Sequence, residues 1–122
     1  MNDKNNKNEL LVFTAKGVIR EIPVEARGIS KTGLPWTRGG LCLEVYDDDT
    51  ENSVPLYLTA WGDEMVELIN TLGVGKRVQV TFRITSQRKP YGQYHTNVSL
   101  ESIQGLTENE NYLYRTNNGQ EQ

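Results

Sequence analysis

The stretch Leu56–Ile84, LYLTAWGDEMVELINTLGVGKRVQVTFRI, changes its hydrophobic period twice, and the order of those changes decides the fold. In its first six residues Leu56, Leu58 and Ala60 alternate with Tyr57, Thr59 and Trp61. Successive strand side chains point to opposite faces, so this is a half-buried strand with its aromatics turned outward. From Asp63 the spacing becomes helical, with Met65, Leu68, Ile69 and Leu72 on one face. Asp63 reads as the N-cap, Glu64 and Glu67 suit the positive end of the helix dipole, and Gly73 stands where a left-handed cap belongs. After Gly75 alternation returns, with Val78, Val80, Phe82 and Ile84 set against Gln79, Thr81 and Arg83.

The flanks extend this strand–helix–strand unit. Upstream, Leu41, Leu43 and Val45 alternate with Cys42, Glu44 and Tyr46 in a strand joined to the quoted stretch by a turn at Asp47–Asn52. Before it, Leu10–Ile22 reads as a long first strand, with Leu11, Phe13, Ala15 and Ile19 inward and Gly17 marking a bulge or bend. The segment between, Pro23–Arg38, is rich in Gly, Pro, Ser and Lys and reads as a loop. Downstream, Gln87–Gln93 is a basic hairpin loop, and Tyr94–Ile103 a last strand with Tyr94, Thr96, Val98 and Leu100 on one face. The order β-β-β-α-β-β predicts an all-β chain: a five-stranded OB-fold Greek-key barrel with one α-helix between strands 3 and 4.

At 122 residues one domain is expected, and 36% hydrophobic residues is low. Much of the deficit lies in the polar ends, so residues 1–8 and 107–122 are expected to be mobile arms around a domain at 9–106. No apolar run is long enough to span a membrane, and no signal-peptide pattern opens the chain. With Cys42 the single cysteine, no intramolecular disulfide forms, and a cytoplasmic location is expected. Asn97-Val98-Ser99 matches a glycosylation sequon, read as plain strand residues in such a compartment.

The net charge of −3 argues against a nucleic-acid partner until its distribution is considered. Arg27, Lys31 and Arg38 lie in a window, Ala26–Leu43, that holds no carboxylate. Lys76, Arg77, Arg83, Arg88 and Lys89 lie in a second one, Leu68–Leu100. In an OB-fold the ligand crosses strands 2 and 3 between the loops joining strands 1–2 and 4–5, and both loops fall in these windows.

Leu56–Leu72 resembles the strand-3-and-helix segment of bacterial single-stranded-DNA-binding proteins, where an apolar strand ends in an aromatic-Gly pair before an amphipathic helix. Val74–Ile103 is similar to the same family's fourth strand, basic hairpin and fifth strand. The resemblance implies binding of single-stranded DNA in replication, repair or recombination, and assembly into dimers or tetramers. It departs at two places: Arg88-Lys89 is followed by Pro90 before Tyr91, and the end Asn117–Gln122 lacks the family's acidic tail with a terminal aromatic. A specialised relative is therefore expected rather than a housekeeping protein.

Sequence-independent binding of a single strand needs cations along the phosphates and flat π-faces for splayed bases. The stacking candidates are Trp36, Tyr46, Tyr57, Trp61 and Tyr91; the phosphate candidates are Lys31, Arg38, Arg83, Arg88 and Lys89. Tyr94 alternates with the core set and is not chosen, while Phe13 and Phe82 read as core. RNA stays open beside DNA, because stacking does not by itself reject a 2′-OH. The alternative is a protein-interaction or assembly module, with Cys42, Tyr46, Tyr57 and Trp61 as its interface. One Cys and one His are too few for a Cys/His zinc site, and no nucleophile–base constellation is legible. No cofactor, metal or enzymatic activity is expected.

Overall fold

The computed structural model describes residues 11–46 and 52–107. The arm expected at 1–8, the second arm beyond Thr107, and turn residues 47–51 lie outside the described residues. The elements are β1 (Val12–Glu21), β2 (Ala26–Ile29), β3 (Pro35–Tyr46), β4 (Ser53–Trp61), α1 (Asp63–Leu72), β5 (Arg77–Arg88) and β6 (Tyr94–Gly105). The sheet runs β1-β5-β6-β4-β3-β2, and β1 also pairs with β3, so five strands form a ring of pairings. All pairings are antiparallel except β4 with β6, joined in parallel at Thr59 and Ser99.

Strand alternation fills the ring. Ile19, Leu41, Leu43, Leu58, Ala60, Val78 and Val80 are fully enclosed, with Phe82, Leu100 and Ile103 beside them. The expected spacing along β6 fails at one point. Phe82 pairs with Leu100 but Thr81 pairs with Ser102, so Glu101 is an extra residue in the ladder. This bulge reverses parity and lets Leu100 and Ile103, three apart, both face inward. Phe13, expected in the core, is 45% exposed at the rim, its ring 5.8 Å from that of Phe82. Leu11, on the same parity of the chain, is exposed as well.

Gly17 is an obligate glycine for a reason other than the bend expected there. It pairs with Val45 of β3 on one side and Val78 of β5 on the other. A Cβ at this point would stand 2.3 Å from the Glu44 carbonyl oxygen, and the irregularity in β1 falls later, between Ile19 and Glu21.

The helix is capped one residue earlier than expected. Gly62, at φ 97°, is the N-cap, and its N–H donates to the Thr37 carbonyl (2.9 Å). Asp63 is the first helical residue, and its carboxylate turns away to accept from Thr37 Oγ1 (2.5 Å) and Arg27 Nη1 (3.0 Å). The buried face is Val66 and Ile69, with Met65 and Leu72 half-buried and Leu68 exposed. Val66 leads because Gly39 leaves room for it: a Cβ on Gly39 would meet Val66 Cγ2 at 2.8 Å. Gly73 has positive φ but an extended ψ of 161°, and its N–H donates to Ile69 O, ending the helix without a left-handed cap.

The segment Pro23–Arg38, expected as a loop, contains a hairpin. Ala26–Ile29 pairs with Pro35–Arg38, putting Trp36 on a strand opposite Gly28. Its tip is closed by Gly33 (φ 88°), whose N–H donates to Ser30 O (2.9 Å), while Ser30 N–H donates to Leu34 O (2.8 Å). The β5–β6 hairpin repeats the pattern with Gly92 (φ 87°), Lys89 and Gln93. A short turn followed by a positive-φ glycine matches the right-handed twist of the strands it joins.

Two consequences are measurable. Gly17→Ala forces an overpacked contact at the β1 junction and is expected to cost about 1–3 kcal/mol, read from urea unfolding midpoints. Asp63 is held below the usual carboxylate range, first by the Thr37 hydroxyl and then by Arg27. A lowered folded pKa contributes stability that is complete above the unfolded-chain value of about 3.9 and is lost as pH falls through the folded one. Asp63→Asn should therefore show a smaller fall in melting temperature than the parent between about pH 5 and pH 2.

Candidate nucleic-acid interface

The outer face of β3 and β4 carries the aromatics that alternation places there. Tyr57 and Trp61 are each 54% exposed, and the Trp61 and Trp36 rings meet edge to face with centroids 6.4 Å apart. The Arg38 guanidinium lies over the Trp61 ring, 6.0 Å from its centroid, which holds a positive charge against a π-face. Two glycines set the pose of these rings. A Cβ on Gly28 would come 2.2 Å from a Trp36 ring carbon, and one on Gly40 would come 2.7 Å from the Tyr57 hydroxyl oxygen. Trp36 thus lies on the bare backbone of β2, and Tyr57 on that of β3.

Between these groups runs a cleft of about 310 Å³ lined by Arg38, Tyr57, Thr59, Trp61, Thr85, Asn97 and Ser99. One wall is aromatic and cationic, from β3 and β4. The other is polar, from β5 and β6, joined to the first at the Thr59–Ser99 seam. A second, apolar hollow of about 480 Å³ also borders Trp61 and reaches Met65 and Leu68 of α1.

Two hairpins flank the cleft. The β2–β3 tip carries Lys31; the β5–β6 tip carries Lys89 and a Tyr91 that is 92% exposed, with Arg88 at the end of β5. From Thr85 to Asn97 the second hairpin has no third strand in its ladder among the described residues. Tyr94, which alternates with the core set, is therefore 71% exposed. Among the described residues, Lys31, Arg38, Arg88 and Lys89 are in no ion pair.

Two candidates stand differently. Arg83 is cross-strand from Ser99 but its guanidinium is held by Glu101 in a two-point pair, Nε–Oε2 3.0 Å and Nη2–Oε1 3.4 Å. Tyr46 shares the outer parity of β3 but lies eight residues beyond Arg38, roughly 27 Å along the strand, with Arg77 over its ring at 5.8 Å. Arg27, counted in the first basic window, is bound by Glu25 and Asp63, and these bonds raise its pKa, Glu25 first. Sequence reasoning missed Thr59, Thr85, Asn97 and Ser99 as cleft residues. Their signal was the outward parity that each has on its own strand.

No family model matches the chain, and no curated protein matches it in sequence. Solved structures do. The dimeric N-terminal domain of PriB from Thermoanaerobacter tencongensis matches at 21% identity, covering 80% of this chain and 98% of that one, with a TM-score of 0.55. The mitochondrial single-stranded DNA binding protein Rim1 of S. cerevisiae matches at 9% identity, 78% and 94% coverage and a TM-score of 0.56. The second single-stranded DNA binding protein of Mycobacterium smegmatis matches at 19% identity, 78% and 87% coverage and a TM-score of 0.53. At such identities what is shared is the fold: this chain has the OB-fold in the form that single-stranded-DNA-binding domains take.

Proposed function

We propose that the chain binds single-stranded nucleic acid, DNA first, without regard to sequence and without catalysis. The observation that carries the reading is the Trp36–Trp61–Arg38 cluster, set with Tyr57 beside a cleft between two hairpins whose cations are unpaired among the described residues. Exposed rings offer bases a sequence-tolerant surface, and cations that no carboxylate neutralises are available to phosphates. In this reading Trp36, Tyr57 and Trp61 stack bases, Tyr91 adds a contact from the hairpin tip, and Lys31, Arg38, Arg88 and Lys89 follow the backbone. Tyr46 belongs to the path only for a strand long enough to run the whole of β3. Self-association into dimers or tetramers, and a role in replication, repair or recombination, belong to the same proposal.

Fluorescence anisotropy of a labelled 30-nucleotide oligo-dT, titrated at two salt concentrations, tests it. Saturable binding that weakens with salt and resists a duplex competitor is expected; no binding at low salt and tens of micromolar protein overturns the reading. Trp61→Ala is expected to cost about 1–3 kcal/mol of affinity, since it removes one stacking face and the support of Arg38.

The Arg83–Glu101 pair yields a separate expectation. Arg83→Ala should change affinity less than Arg38→Ala, because Glu101 already occupies the guanidinium. Glu101→Gln removes a negative charge beside the cleft wall and is expected to tighten binding, read from the same titration at low salt. Equal losses for the two arginine variants would return Arg83 to the phosphate path.

A further inference from the structure

Stacking alone explains the aromatic wall of the cleft and leaves the opposite wall without a role. That wall is Asn97 and Thr85 with Ser99, and Thr59 meets it at the seam. Asn97 and Thr85 pair across the hairpin, and Ser99 and Thr59 pair across the seam, so the four side chains stand in adjoining positions on one outer face. None of the four has a side-chain hydrogen-bond partner among the described residues. One step further along the same hairpin, Ser86 and Thr96 satisfy each other at 2.8 Å. Ser86 and Thr96 lie on the other face of the hairpin, so their bond leaves the polar groups of the cleft available to a ligand.

A base stacked on Tyr57 or Trp61 presents one face to the ring and its edge sideways, across the cleft. We propose that the cleft is a base-edge subsite, in which Asn97 exchanges a donor and an acceptor hydrogen bond with the Watson–Crick edge of a stacked base. Thr59, Thr85 and Ser99 complete the contact. The proposal rests on the single-strand reading and deepens it by naming the ligand chemistry of one subsite. In a single strand every base offers an adjacent donor and acceptor on that edge, and in a duplex that edge is occupied. A carboxamide presents oxygen and nitrogen in either order after a rotation, and hydroxyls donate or accept as needed. Such a site rejects paired bases while tolerating all four unpaired ones. The volume, about 310 Å³, leaves room for a base.

The test compares oligo-dT with an oligomer of N3-methylthymidine of the same length, in which the π-face is kept and the edge donor is blocked. The parent protein should bind the methylated oligomer at least about five-fold more weakly, the lower end of a good two-point base contact. Asn97→Ala, at an exposed strand position, should bind oligo-dT more weakly and show no further loss on methylation. Equal binding of the two oligomers by the parent, or an undiminished methylation effect in Asn97→Ala, overturns the edge contact and leaves the stacking reading standing. Failure of both oligomers to bind the parent overturns the single-strand reading itself, and the subsite with it.

Discussion

At Gly17 and Val18, β1 belongs to two ladders at once: it faces Val45 and Glu44 of β3 on one side and Val78 and Arg77 of β5 on the other. Before this point β1 pairs with β5 alone, and beyond it the ladder is with β3. The ring closes because the strand changes partner without interruption, and the change needs a residue small enough for a neighbouring carbonyl to crowd it. Closure fixes the curvature of β3 and β4, and that curvature turns Arg38, Tyr57 and Trp61 toward the polar residues of β5 and β6. The cleft is thus a property of the ring rather than of any one strand.

Glycine recurs beneath the exposed aromatics for a related reason. Gly28 and Gly40 give Trp36 and Tyr57 a flat seat on backbone, which limits ring freedom before any ligand arrives. An ordered aromatic loses less conformational entropy on stacking than a freely rotating one. The Arg27–Thr37–Asp63 bonds do comparable work between the β2–β3 hairpin and the start of the helix, tying together the two backbone segments that carry Trp36 and Trp61.

Apart from β2, the order of the elements is legible in the sequence, and so are the inward sets of β3, β4 and β5, because each of these strands follows an uninterrupted two-residue period. Where a period is broken by one residue, as at Glu101, alternation misleads; in β2, only four residues long and containing glycine, it carries too little information. The buried helix face differs from the periodic one because Gly39, on the facing strand β3, decides which helical side chain seats there. No period within the helix reports that. The charges show the same limit. Each basic window ends at a carboxylate, Glu25 just before Ala26 and Glu101 just after Leu100. Those two residues are the ones that fold back onto Arg27 and Arg83. Freedom from acid along the sequence therefore does not mean freedom from acid in space. Lys31, Arg88 and Lys89, which have no such neighbour among the described residues, lie near the hairpin tips, where the chain turns away from the sheet.

The two hairpins also divide the molecule by stability. The ring is held by buried side chains, whereas Thr85–Asn97 is a two-stranded ribbon with solvent on both faces. An isolated ribbon of this kind is marginal in water, so its amide hydrogens exchange through local opening while those of the ring wait for larger unfolding events. A ligand that bridges ribbon and ring would slow the ribbon's exchange first, and part of its binding free energy would go into ordering that arm.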